Sequence, residues 1–560
     1  MGLSLLAGPA NAGKVALLLD RYLARSGDDP TLIVPNASDV DRVERDLLAR
    51  CGCLFSGTIG TFDDLFRRLG GDERPLSDAQ RALVVRRLLQ SASLNGLARS
   101  ARTAGFADTL LQTLGELEQG MLDPEDLQGD LAELYALYRA ELKRLGRSDR
   151  DLLRRHAAER LATDLDAWHG EPVFAYGFED LTGAEWALLE ALAGRTDVEV
   201  SLPYEPGRVA FASLQRTADD LAALASGNVQ ELPPRSGEYQ HPALAHLERA
   251  LFDESPPPPP QLDAAVRFLE GAGARGSLEL VGDELVELIR SGVRPDQIAL
   301  VAPSVETWRG PLETVLGTLE VPYAIESRVR LGATPIGHAL LQLLRYAWGE
   351  AGRRELFAFL RSPYSGLGRA SVDYVEGRLR GRAIHTPARV EEEAERLREA
   401  PVPALADLRA AGDPVEAVRV QLRAMLRAAY GTEAPPAGEM SRLDLRAYGH
   451  VLQLLTELDG LEATREELVV ALEKCEVRLS SAGEAGRVAV LDLMRARTRR
   501  FEVVFLLGLE EGSLPRRSRT SPFLDDDRRR ELGARLERPD QVSRDRYLFY
   551  TACTRAVRRL

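Results

Sequence analysis

Gly8-Pro9-Ala10-Asn11-Ala12-Gly13-Lys14-Val15 lies between an apolar run, residues 3–6, and an amphipathic stretch that passes through Leu19 and Tyr22. Two glycines with four residues between them and a lysine directly after are the spacing of a phosphate loop. Glycine lets backbone amides turn inward around phosphate oxygens, the following helix N-terminus adds a favourable dipole, and the lysine neutralises the outer phosphates. Lysine is scarce here: of 72 basic residues only Lys14, Lys143 and Lys474 are lysines, so one falling on this position favours nucleotide binding over a chance glycine turn. Gly8, Asn11, Ala12, Gly13, Lys14 and Val15 are the candidate nucleotide-binding residues. Val15 departs from the pattern, because a Ser or Thr hydroxyl binds magnesium at that position.

Outward from the loop, the order strand, loop, helix, strand opens a parallel α/β sheet, with residues 32–34 as the second strand. The expected layout is α/β, two RecA-like parallel-sheet motor domains, each carrying a helical insertion. The first core comprises residues 1–75 and 150–205, with a helical insertion at 76–149 whose apolar residues recur at spacings of three and four. Residues 206–262 lose periodicity and contain five consecutive prolines, Pro256 to Pro260, the composition of a stiff linker. The second core comprises 263–336 and 485–560, with a second helical insertion at 337–484.

A chain of 560 residues exceeds what one core can organise, and 44% hydrophobic with 28% charged residues excludes wholesale disorder. A net charge of −14 argues against coating nucleic acid by bulk attraction but allows a local basic groove. Cys51, Cys53, Cys475 and Cys553 are too scattered for a disulfide framework or a zinc knuckle. No apolar run reaches the ~18 residues of a membrane span, and the start lacks a signal peptide. The expected location is the bacterial cytoplasm, with no membrane partner.

Several further segments carry a resemblance to a family. Leu32-Ile33-Val34-Pro35-Asn36 and Gly60-Thr61-Phe62-Asp63-Asp64-Leu65 resemble the DNA-contacting motifs of UvrD-type superfamily 1 helicases, which makes Thr61 and Phe62 candidate DNA-binding residues. Phe501-Glu502-Val503-Val504-Phe505-Leu506-Leu507-Gly508 and Phe549-Tyr550-Thr551-Ala552-Cys553-Thr554-Arg555-Ala556 resemble the fifth and sixth motifs. The resemblance implies that Arg555 reaches the γ-phosphate across the cleft between the cores. Taken in order along the chain, the set is most similar to the AddB subunit of bacterial ATP-dependent helicase-nucleases.

Departures from an active motor point the other way on turnover. Where UvrD-type enzymes place two adjacent acids, this chain has Val173-Phe174-Ala175-Tyr176-Gly177-Phe178-Glu179-Asp180. Glu179 and Asp180 are candidate catalytic acids in one reading and a helix N-terminal cap in the other. Arg495, Arg497, Arg499 and Arg500 form a basic cluster suited either to DNA phosphates or to a solvated edge, and Pro515-Arg516-Arg517-Ser518-Arg519 is similar.

The implied function is a DNA-binding, ATP-binding helicase-like subunit acting in double-strand break repair and recombination, with a degenerate ATPase site. The alternative is an active 3′–5′ helicase. ATP is the implied cofactor, and Mg2+ is admitted. The implied partners are DNA, single-stranded or a duplex end, and an AddA-like motor-nuclease subunit. AddB-like chains continue into a PD-(D/E)XK nuclease domain, often with cysteines for an iron-sulfur cluster. The sequence stops at Leu560, so the expectation is truncation before that domain, and no such cluster is supported.

Overall fold

The computed structural model describes residues 2–71, 75–103, 105–325, 328–349, 352–382, 384, 386–398, 402–432, 438–479, 485–517, 521–533 and 535–560. Its first sheet is built from β1 (Gly2–Gly8), β2 (Thr31–Ile33), β3 (Thr58–Gly60), β4 (Val173–Tyr176), β5 (Asp197–Pro203) and β6 (Val229–Glu231). They assemble in the order β3-β2-β4-β5-β1-β6 with every pairing parallel. Parallel strands are covered on both faces, which is why β1 buries Leu3, Leu5, Leu6 and Ala7 instead of alternating.

Further along come β7 (Ile298–Ala302), β8 (Tyr323–Ile325), β9 (Arg328–Arg330), β10 (Glu476–Arg478), β11 (Val488–Asp492), β12 (Phe501–Leu506) and β13 (Ala556–Arg559). The second sheet runs β13-β12-β7-β11-β8, again parallel throughout. The fold is thus α/β with two RecA-like parallel sheets.

The chain divides into two compact units. The larger, Met1–Pro75, Ala92–Glu326 and Ser480–Leu560, holds both sheets. One apolar core runs beneath both of them, joining Ile33, Val173 and Val200 to Val301, Leu491 and Tyr547. The smaller unit, Leu76–Ser91 and Ser327–Leu479, is helical among its described residues apart from the antiparallel pair β9 and β10. Within it the buried Asp444 carboxylate accepts from the hydroxyls of Tyr364 at 2.6 Å and Tyr430 at 2.7 Å.

Two boundaries differ from those expected of the sequence. Helix Asp78–Ser91 groups with the smaller unit, because Leu83 is part of that unit's apolar core, whereas Phe106–Gln119 and Asp130–Leu145 stay with the larger unit. Residues 206–262 are not simply a linker: they supply β6, the helices Gln215–Leu224 and Pro242–Ala250, and core residues such as Phe211 and Leu244. These elements are 3 to 10 residues long, too short to display a period. The proline run Pro256–Pro260 carries no regular element.

Candidate functional site: a basic crevice between two parallel sheets

At the carboxyl end of β1 the chain turns through Asn11 (φ 58°) and Gly13 (φ 90°) before helix Lys14–Ala24 begins. Gly13 tolerates the left-handed conformation that a side chain resists. At Gly8 a Cβ would lie 2.8 Å from the Leu232 carbonyl oxygen, so the loop follows the backbone after β6 closely. Lys14 is buried, and its Nζ donates to the carbonyls of Gly8 at 2.8 Å and Pro9 at 2.5 Å. Burial lowers its pKa to about 7, and the Arg555 guanidinium pushes in the same direction.

The other wall belongs to the second sheet. Helix Gln541–Cys553 ends just before Arg555, and the Arg555 carbonyl accepts from Phe501 N–H at 3.0 Å at the entry to β12. The guanidinium is held by the carbonyls of Thr551 at 3.1 Å and Arg497 at 3.0 Å and by the Thr554 hydroxyl at 3.0 Å. Among the described residues it has no carboxylate partner, and burial lowers its pKa from the ordinary arginine value.

Hydrogen bonds tie the loop to this second wall. Asn11 Nδ2 donates to the Tyr239 hydroxyl at 2.8 Å and to the Thr554 carbonyl at 3.1 Å. The Ala10 N–H donates to the Tyr550 hydroxyl at 3.0 Å, and that hydroxyl donates to the buried Glu248 carboxylate at 2.6 Å. Glu248 is charge-balanced by Arg208 at 3.0 Å, and the Tyr550 ring packs edge-on against Phe211 with centroids 4.9 Å apart.

Between the walls lies a crevice of about 670 Å³. It collects the carboxyl ends of β1, β4 and β5 and the segments that enter β7, β11, β12 and β13 from their amino ends. This matches the general placement of ligands beyond the carboxyl ends of parallel strands. Among the described residues nine cationic side chains line it against three carboxylates, Asp46, Glu238 and Asp296, so the site suits a polyanion although the whole chain is acidic.

Lys14 and Arg555, nominated separately from the sequence, line this same crevice, with Asn11, Ala12, Gly13 and Val15 beside them. Arg497, Arg499 and Arg500 also face it, not a separate surface: Arg497 pairs with Glu179 at 3.1 Å, Arg500 with Glu238 at 2.8 Å, and Arg499 lies over the Phe501 ring. Arg495 is not among the lining residues and pairs with Asp492 at 3.5 Å.

Other nominated residues are placed elsewhere. Phe62 is 4% exposed, with its ring against Phe66 and Phe178, so its side chain is a core element and is closed to a DNA base. Thr61 caps helix Phe62–Gly70: its hydroxyl accepts from Asp64 N–H, and the Asp64 carboxylate accepts in return from Thr61 N–H at 2.8 Å. Thr61→Ala should therefore cost about 1 kcal/mol in a urea titration, and an unchanged midpoint would show that the cap contributes nothing to stability.

Glu179 and Asp180 line a second, smaller cavity of about 280 Å³ with Arg529, Arg535 and Arg544, and they are not among the residues of the phosphate-loop crevice. Nor do they cap the next helix, whose N-terminus is held by Thr182 and Glu185. The residue after β4 is Gly177 (φ 86°), where a Cβ would meet Pro35 at 2.7 Å. In the other basic segment, Arg516 is paired with the buried Asp545 at 2.6 Å, and Ser518 and Arg519 lie outside the described residues.

Sequence reasoning missed Arg235, because it lies in the stretch read as a linker. Its guanidinium covers Gly13, 2.8 Å from where a Cβ would stand, and no local motif marks it. Tyr239 and Glu248 were missed for the same reason. Among the described residues no helix is long and apolar enough to cross a membrane.

No protein-family model matches the chain. Among curated proteins, it is 24% identical to the B-subunit of the ATP-dependent helicase/deoxyribonuclease of Pelotomaculum thermopropionicum, an alignment covering 100% of this chain and 57% of the relative. It is 27% identical to the corresponding protein of Desulforudis audaxviator, covering 99% and 57%, and 25% identical to that of Moorella thermoacetica, covering 100% and 57%. The chain thus spans a little over half the length of these relatives. The chain is similar along its whole length to these helicase/deoxyribonuclease B-subunits, and it brings a nucleotide-type loop on one parallel sheet and an arginine from a second into one crevice.

Proposed function

We propose that this chain is the DNA- and ATP-binding, helicase-like part of a helicase-nuclease that processes double-strand breaks in repair and recombination, and that its nucleotide site binds ATP without rapid turnover. The observation that carries the reading is the crevice, which holds Lys14 and the glycine loop from one sheet and Arg555 from the other. Such a site can grip a triphosphate from both sides. Among the described residues its lining lacks the parts that activate water: Val15 follows the lysine, Gly177 and Phe178 follow β4, and Glu179 and Asp180 line the neighbouring cavity, with Glu179 held by Arg497 at 3.1 Å. DNA as ligand, and an AddA-like motor-nuclease as partner, rest on the similarity to the helicase/deoxyribonuclease relatives.

DNA-stimulated ATP hydrolysis by the purified chain tests the reading. Saturable ATP binding with turnover orders of magnitude below the ~10 per second typical of enzymes is expected. Rapid single-strand-stimulated hydrolysis that disappears in Lys14→Ala would establish the active-helicase alternative instead.

Lys14 also sets a pH dependence. With its pKa lowered to about 7, the empty site is increasingly uncharged above neutrality, and a bound polyanion favours the charged form. ATP binding should then take up a proton, and affinity should fall by up to about tenfold per pH unit between roughly pH 7.5 and 9. Isothermal titration in buffers of different ionisation heat measures the uptake, and an affinity flat across that range would refute it.

A further inference from the structure

We propose that the crevice takes a nucleoside triphosphate as the metal-free polyanion, with Lys14, Arg235 and Arg555 supplying the positive charge that a divalent cation supplies in an active motor. The proposal rests on the nucleotide-site reading above and specifies the ionic form of its ligand.

The described lining offers far more cations to phosphate than oxygen ligands to magnesium. Val15, 38% exposed at the loop, presents only methyl groups where a hydroxyl would ligate the ion. Of the three carboxylates among the described lining residues, Glu238 is occupied by Arg500, Asp296 lies 3.4 Å from Arg294 with its buried Oδ1 making no hydrogen bond, and Asp46 is exposed. Among the described residues no three His, Cys, Asp or Glu side chains are grouped to hold a metal. A hard, strongly hydrated cation needs oxygen ligands, and an excess of guanidinium groups repels it.

The cations are placed where the phosphate chain would lie. Lys14 is bonded only to loop carbonyls, and Arg555 only to carbonyls and a hydroxyl. The Arg235 guanidinium covers Gly13 and makes no hydrogen bond or ion pair among the described residues, so its donors are open to a ligand. Guanidinium matches phosphate oxygens in pairs and stays charged at any working pH. Two guanidinium groups and the Lys14 amine, none with a carboxylate partner among the described residues, suit a fully ionised triphosphate, and prior neutralisation by Mg2+ would weaken the attraction.

Isothermal titration of the chain with ATP, in excess EDTA and in excess Mg2+, separates the possibilities. Affinity in EDTA should equal or exceed that in Mg2+, by up to about tenfold. Arg235→Gln, at an exposed position, should weaken the EDTA affinity by about tenfold and shrink the difference between the two conditions. A thermal melt of the same variant verifies that it is folded. Binding that is more than tenfold weaker in EDTA would overturn the proposal while leaving the nucleotide site intact. So would an Arg235→Gln variant that binds as the parent does in both conditions. No binding in either condition would remove the nucleotide-site reading itself.

Discussion

Lys14→Ala should weaken ATP binding by roughly two orders of magnitude, equivalent to about 3 kcal/mol, while the chain remains folded. The ammonium is the one buried cation contributed by the loop itself, and its partners in the structure are the loop carbonyls of Gly8 and Pro9. A phosphate entering the loop gains a charge-assisted hydrogen bond in a site of low polarity, where such bonds are strongest. Removal of the side chain leaves Arg235 and Arg555 in the crevice, so weak residual binding is expected and not complete loss. Equilibrium dialysis against radiolabelled ATP gives the number. An unchanged affinity would show that the phosphates are held elsewhere.

Tyr550→Phe is the second large effect, and it falls on stability. The hydroxyl accepts from the Ala10 N–H and donates to Glu248, both buried. The ring of phenylalanine fits the same space against Phe211, so packing is retained and only the polar links are lost. An orphaned buried N–H and a carboxylate deprived of one of its donors together should cost about 2–4 kcal/mol. Chemical denaturation followed by circular dichroism would report it, and a loss below about 0.5 kcal/mol would show that water replaces the hydroxyl without penalty.

The parts of this protein legible in its sequence are those with local rules. The loop could be read because glycine spacing and a following lysine state a backbone requirement directly, and Gly13 at φ 90° meets it. Both parallel sheets could be read because residues 3–6, Ser4 apart, and residues 298–302 are apolar runs. Direction was harder to see. An aromatic beside a cap, such as Phe62, is equally consistent with a stacking platform and with a core contact, and only packing against Phe178 decides between them. The arginines at 497, 499 and 500 show their charge in the sequence but not the side to which they point. Glu179 pairs with an arginine 318 positions later, a relation that no local window contains. Arg235 follows a three-residue strand in a stretch without periodicity, so neither motif nor pattern could mark it.

The apolar layer shared by the two sheets bears on how far this unit can flex. Phe211 from one side and Tyr547 and Tyr550 from the other interlock, and gaping would wet all three rings. At about 2 kcal/mol per ring, less what a partial excursion leaves covered, a hinge stroke would cost on the order of 5 kcal/mol. Roughly one molecule in a few thousand would then stand ajar at any instant. On that figure the two sheets of this unit hold one spacing nearly all the time, and the crevice between them keeps its width whether or not a ligand fills it.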